Sequence, residues 1–330
     1  MKKYILSLQT KKYSDNQIGG GASAKAPADI LTLGKKAGFQ ELVIFDNYPK
    51  NKALGYISFV FQVFILSRKL KDKSKILFQY PFVNIKLIPI VLRMFKRHHL
   101  IGLIHDINSV RVDGRLSTKE KEALSCFDEI YVHTENMKVF FENQLHDGIK
   151  YNVLNCFPYI ADKNKEKRHL SKDVCFAGNL NKSMFLSQFV QENDDLNIFL
   201  YGSIYNAEKF GQKAKYFGHF MPNEIQNIKG SWGLVWDGER TDCCGGNYGE
   251  YLKIIAPHKF SMYLAAELPV IVWKESAMAS LVEKYKLGLT IGSLSEISDR
   301  INALTENDYM SILCNIRAYL ADNLNNVFIK

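Results

Sequence analysis

A chain of 330 residues, 47% hydrophobic and 23% charged, is long enough for two domains and has the composition of an ordinary folded protein, not a disordered or fibrous one. Lysine and arginine exceed aspartate and glutamate by 43 to 34, a formal charge of +9, which suits a polyanionic ligand, nucleic acid or an anionic membrane surface. The basic residues read as scattered K-K and K-x-K groups with no zinc-finger or aromatic RNA-binding signature, so nucleic acid is set aside as a partner.

In chain order, Met1-Lys2-Lys3 opens like a signal peptide, but the apolar run gives way to Lys11-Lys12 and reads as a first strand, Tyr4–Leu8. The run D-N-Q-I-G-G-G follows, then a helix pattern from Ala22 to Ala37. Glycines between a strand and a helix let a backbone approach a ligand closely, so Gly20 and Gly21 are substrate-binding candidates. The spacing is not G-x-G-x-x-G, so a dinucleotide is not implied. Leu42–Phe45 reads as a strand and Tyr56–Leu70 as a helix. The apolar run from Ala53 to Leu66 falls short of the roughly 20 residues of a membrane span. It reads as a buried helix, with peripheral membrane contact as the second reading.

Lys75–Gln79 is a strand, Asn84–Lys96 a helix, Leu100–Ile104 a strand ending in His105-Asp106, and Ile130–His133 a strand followed by a helix that Thr134-Glu135-Asn136 opens. Strands alternating with helices imply a parallel sheet, whose chemistry gathers at the strand C-terminal ends. His105 and Asp106 stand there as catalytic candidates, against a reading in which Asp106 caps a turn and His105 is satisfied in the fold.

The charged run K-N-K-E-K-R-H, Lys163–His169, reads as a domain linker. The expected division is 1–160, a linker 161–172, and 173–330 with closing helices over 294–323. Strands are predicted at Asp173–Ala177 and Asn197–Tyr201, and a short helix at Met221–Ile228. Gly178, Asn179 and Lys182 of A-G-N-L-N-K form a small-residue turn followed by a cation, which suits a phosphate. Ser231–Trp273 then reads as a strand, a glycine-rich loop, a helix ending before Pro269, and a strand at Val270–Val272. Pro257 suits the first turn of that helix, and Lys259 beside its unpaired N–H groups makes an anion site. A solvated surface lysine is the plainer alternative. Leu287–Ile291 is a last strand, and Glu296–Leu304 and Asp308–Leu320 are helices. The six cysteines, Cys126, Cys156, Cys175, Cys243, Cys244 and Cys314, form no C-x-x-C pair and read as reduced thiols of a cytoplasmic protein.

The motif P-x-K-x-x-x-Y-L-A-A-x-x-P-V-I, Pro257 to Ile271, resembles one widespread in C-terminal domains of GT-B glycosyltransferases. With I-H-D-I, A-G-N-L, W-D-G, G-x-Y-L-K and P-H-K, the chain resembles the bacterial β-1,6-galactofuranosyltransferases and the related glucosyltransferases that extend O-linked GlcNAc on adhesins. The resemblance implies an α/β GT-B fold, two Rossmann-like domains facing a cleft. It implies a UDP-sugar donor on the C-terminal domain and a glycan, glycolipid or glycoprotein acceptor on the N-terminal one. Lys259 and Lys182 would hold the diphosphate, and Asn179 and Tyr201 would line the nucleotide pocket. Met262 stands where many GT-B enzymes carry a glutamate, and Glu250 is the substitute carboxylate. An inverting transfer needs one general base, Asp106 first and His105 second, with no metal and no cofactor. Transfer at the inner face of the membrane is compatible with this reading. The alternatives are a metal-dependent GT-A enzyme using Asp237 and Glu239, and a nucleotide-sugar-binding protein without activity.

Overall fold

The computed structural model describes residues 1–9, 22–45, 52–71, 73–162, 167–204, 206 and 210–324. The expected loop at Gly20 and Gly21 lies outside these. Its described residues form two compact units, Met1–His133 with Met137–Leu154, and Thr134–Asn136 with Asn155–Leu324.

In the first unit the elements are β1 (Lys3–Gln9), α1 (Ala22–Lys36), β2 (Gln40–Phe45), α2 (Lys52–Lys69), β3 (Lys75–Tyr80), α3 (Ile88–Met94), β4 (His99–Ile104), α4 (Asn108–Asp113), α5 (Thr118–Leu124), β5 (Glu129–Val132), α6 (Glu135–Glu142) and β6 (Lys150–Val153). The strands form one parallel sheet in the order β2-β1-β3-β4-β5-β6. The middle strands, K-I-L-F-Q-Y and H-L-I-G-L-I, are buried after their first residue, as parallel strands covered on both faces are. Gly102 of β4 makes room for the Phe127 ring, which an added Cβ would meet at 2.8 Å.

Two expectations change here. The helix expected over 84–96 is regular only from Ile88 to Met94. Pro89 sits in its first turn, where a missing N–H costs nothing, and the residues before it form turns. Nor is α2 buried throughout. Gly55, Phe59, Val63 and Ser67, spaced by four, face the core, while Leu54, Ile57, Phe61 and Phe64 are exposed. An apolar composition around the whole helix hid which face is covered.

The second unit comprises β7 (Asp173–Ala177), α7 (Phe185–Glu192), β8 (Asn197–Tyr201), β9 (Ala214–Tyr216), β10 (Trp232–Val235), α8 (Gly246–Tyr251), α9 (His258–Ala265), β11 (Val270–Trp273), α10 (Ala279–Tyr285), β12 (Gly288–Ile291), α11 (Ile297–Asn302) and α12 (Glu306–Leu324). Its parallel sheet runs β12-β11-β10-β7-β8-β9, the strand order of a dinucleotide-binding Rossmann fold counted from β7. Gly233 of β10 lets the Tyr263 ring of α9 lie on the strand, since a Cβ there would sit 2.3 Å from it. The Tyr263 hydroxyl accepts from Ala177 N at 2.7 Å, which ties α9 to the end of β7.

The expected helix at 221–228 is a single 3-10 turn, Ile225–Asn227. The 161–172 segment is not all solvated linker. Arg168 is buried in the second unit, where its guanidinium donates to the carbonyls of Gly230 and Ala266 at 3.1 and 3.2 Å.

Candidate active site

In the second unit the chain runs outward from β7 in one direction and from β10 in the other. Ligands of such sheets bind outside the carboxyl ends of the two strands where the order reverses. The loops there are 178–183 after β7 and 236–245 after β10.

The first loop is a compact turn. Asn179 Oδ1 accepts from Asn181 N at 3.1 Å, and the Asn179 carbonyl accepts from Lys182 N and from the Ser183 hydroxyl, each at 3.1 Å. The loop is seated on the end of β8 through Gly178 N to Tyr201 O and Leu180 N to Ser203 O, both 3.0 Å. Gly202, at φ +125, approaches so closely that a Cβ would lie 1.8 Å from Gly178 O. Only glycine allows both that backbone angle and that contact. Gly178, Asn179 and Lys182 are exposed on this turn. Tyr201 faces the core instead. It is 3% exposed, stacks on Phe217 at 5.3 Å, and its hydroxyl accepts from Lys229 N at 2.8 Å.

The second loop folds its backbone on itself. Gly238, at φ +100, lies against Gly245 O, and Gly249 against Cys244 O. The glycine-rich run therefore contains the six-residue α8, which an all-loop expectation omitted, because glycines weaken the helical signal. Glu250, on α8, is exposed and pairs with Lys253 at 2.9 Å.

Lys259 joins the two strand ends. Pro257 is the N-cap of α9, one place before the expected first turn. The Lys259 ammonium donates to the Trp236 carbonyl beyond β10 at 3.0 Å and lies 4.5 Å from the centroid of the Phe176 ring on β7. Burial pulls its pKa below the ordinary 10.5, and the nearby Asp237 and Cys244 oppose that shift. A lysine has three donors and one is used on Trp236. The nearby carboxylate that favours its charge is that of Asp237. A buried cation with spare donors at the sheet's reversal point can hold an anion. Phe176 and Trp236 were not singled out in the sequence. The only signal was their position, Phe176 before A-G-N-L and Trp236 within W-D-G.

In the first unit the order reverses between β1 and β3. His105 and Asp106 follow β4, as expected, and both are partly exposed. His105 Nε2 lies 2.8 Å from Gln79 Oε1. The Gln79 amide nitrogen donates to Pro27 O at 3.1 Å, which fixes the amide's orientation. His105 Nε2 therefore donates to Gln79 Oε1. Asp106 is ion-paired with Arg111 and accepts from Ile107 N at 2.9 Å.

Glu120, which no motif flagged, organises the neighbouring turn. Its carboxylate is buried and accepts from Asn108 N, Ser109 N and the hydroxyls of Ser109 and Tyr80. Beside it is a cavity of about 550 Å³ lined by residues including Pro81, Phe82, Asn84, Ser109 and Lys119. Asp237 Oδ1 accepts from Gly238 N, and Glu239 is exposed. Among the described residues no three His, Cys, Asp or Glu side chains gather as a metal cluster.

Two parallel Rossmann-like sheets in one chain are those of the GT-B fold. HepE from Anabaena, solved with UDP, has a TM-score of 0.60 to this chain at 13% identity, covering 98% of this chain and 96% of HepE. The chain is a glycosyltransferase. Residues 3–174 match the N-terminal domain and residues 174–330 the C-terminal domain of the glucosyltransferase 3-like family, and the chain belongs to that family. The β-1,6-galactofuranosyltransferase WbbI of Escherichia coli K12 is 29% identical over 74% of this chain and 73% of its own length. Glucosyltransferase 3 of Streptococcus gordonii is 34% identical over 67% of this chain and 65% of its own length.

Proposed function

We propose that the chain transfers a hexose from a UDP-sugar to a glycan, glycolipid or glycoprotein acceptor, with inversion and without a metal. Galactofuranose is the favoured sugar, after WbbI, and glucose or galactose are the alternatives. The observation that carries the reading is the buried Lys259 spanning the ends of β7 and β10, with donors beyond the one used on the Trp236 carbonyl. A diphosphate there would replace the water the ammonium has lost. It would also take the negative charge that grows as the glycosidic bond to UDP breaks. Lys182, exposed on the 178–183 turn, supplies a second cation. Gly178 and Asn179 offer close backbone and an amide side chain, while Tyr201 supports the turn from below.

The reading gives the second unit the donor and the first unit the base. An acceptor oxygen attacks the anomeric carbon, the bond from that carbon to the UDP oxygen breaks, and the hydroxyl proton goes to the base. Asp106 and His105 are the two candidates for that base, and Asp106 is already engaged by Arg111. Glu250, already paired with Lys253, is the weakest member of the proposed set.

The test is UDP release from a panel of UDP-sugars with lipid- and glycoside-linked acceptors, with and without EDTA. Release from one UDP-hexose that persists in chelator is the expected result. Activity lost in EDTA and restored by manganese would instead make Asp237 and Glu239 metal ligands. Binding of UDP-sugars with no transfer to any acceptor would leave a binding protein.

A further inference from the structure

The outer face of α2 is apolar where water meets it. Leu54, Ile57, Phe61 and Phe64 follow one another at spacings of three and four, so they share one side of the helix. Their exposures are 56, 65, 60 and 43%, and Ile90 on the packed neighbour α3 is 43% exposed. Between Tyr56, Val60, Phe61, Phe64 and Met94 lies an apolar groove of about 450 Å³. Isolated exposed apolar residues are ordinary, but a contiguous row along a helix is a contact surface.

Charge identifies what the surface meets. Residues 51–100 hold ten lysines and arginines against one acid, Asp72. Their surplus equals the formal +9 of the whole chain, so the basic excess is concentrated, not scattered as the sequence reading had it. Arg68, Lys69, Lys71, Lys73, Lys96 and Arg97 are all exposed. The Arg68 guanidinium lies over the Phe64 ring at 5.1 Å, at the end of the apolar row. Lys73 N donates to Arg97 O, which brings the two basic segments side by side.

We infer that the α2 face, with its basic rim, docks the protein on an anionic phospholipid surface. The apolar row enters the headgroup–acyl boundary and the cations meet lipid phosphates. Among the described residues no helix is long and apolar enough to cross a membrane, so the contact is one of lying on the surface. A second copy of the chain fits the face less well, because pairing two such faces would set like charges against each other. The inference stands apart from the donor reading, since vesicle partition is read without catalysis.

The experiment is co-sedimentation of the full chain with neutral vesicles and with vesicles containing about 30% anionic phospholipid. The expected result is partition to the anionic vesicles only, lost in about 0.5 M NaCl. Ile57→Asp with Phe61→Asp should weaken partition by roughly tenfold or more, as should Lys69→Glu with Lys71→Glu. UDP binding and melting temperature should stay as in the parent, which keeps the surface variants distinct from misfolded ones. Equal partition to neutral vesicles, no partition, or partition indifferent to both variants would overturn the inference. So would a dimer that Phe61→Asp dissolves while vesicles bind nothing.

Discussion

A buried ammonium needs acceptors in place of water, and Lys259 has one hydrogen bond, to the Trp236 carbonyl, with the Asp237 carboxylate nearby. Lys259→Ala should weaken UDP binding by roughly 1.5–3 kcal/mol, the worth of one charge-assisted contact. Calorimetry showing parent affinity in a folded variant would remove Lys259 from the diphosphate site. The base is open to a similar test. His105→Ala should lower turnover by about 10²–10⁴-fold, while UDP affinity holds. Asp106→Asn, which keeps the shape but weakens the hold on Arg111, should cost less. The opposite ranking would return the proton transfer to Asp106.

At the scale of elements, α9 is held by a glycine and a tyrosine. Gly233→Ala would push a methyl into the Tyr263 ring, and overpacking of this kind costs about 1–3 kcal/mol. The variant should melt at a lower temperature and also bind UDP more weakly, because α9 carries Lys259. A drop in stability with unchanged UDP affinity would uncouple the helix position from the site. Elements were legible in the sequence where the apolar pattern was complete. The buried runs D-V-C-F-A and N-I-F-L-Y have the bounds of β7 and β8 as read. The short strands β6 and β9, K-Y-N-V and A-K-Y, lie at the sheet edges and carry no fully buried residue, so their apolar signal is absent. The site was legible as motifs after two strands. The partners that shape it, Phe176 and Gly202, were not, because their roles depend on contacts between segments distant in sequence.

For the molecule as a whole, the clearest pH signature comes from His133. It is fully enclosed, its Nε2 is 2.8 Å from Ile104 O, and burial lowers its pKa from 6.5 to about 4. The unfolded chain takes up this proton below pH 6.5 and the folded chain does not until about pH 4. The stability due to this residue is therefore complete above pH 6.5 and is lost as pH falls through that window. Between pH 7 and pH 4.5 the loss should be roughly 2–3 kcal/mol. His133→Gln, which keeps an N–H donor, should lack that component, and urea titrations of both proteins at the two pH values measure it. Equal slopes in parent and variant would show that His133 does not set the acid limit.

The contact between Gly202 and Gly178 bears on chimeras of this family. Two backbones touch there with no side chain between them, so neither loop has slack to accommodate a foreign partner. A graft that exchanges residues 178–182 but leaves the end of β8 behind keeps its seat only if the incoming backbone follows the same path. Swapping the two segments together preserves their mutual spacing. If the turn meets the donor as proposed, donor preference is more readily redesigned through the exposed side chains of Asn179 and Lys182 than by lengthening the turn itself.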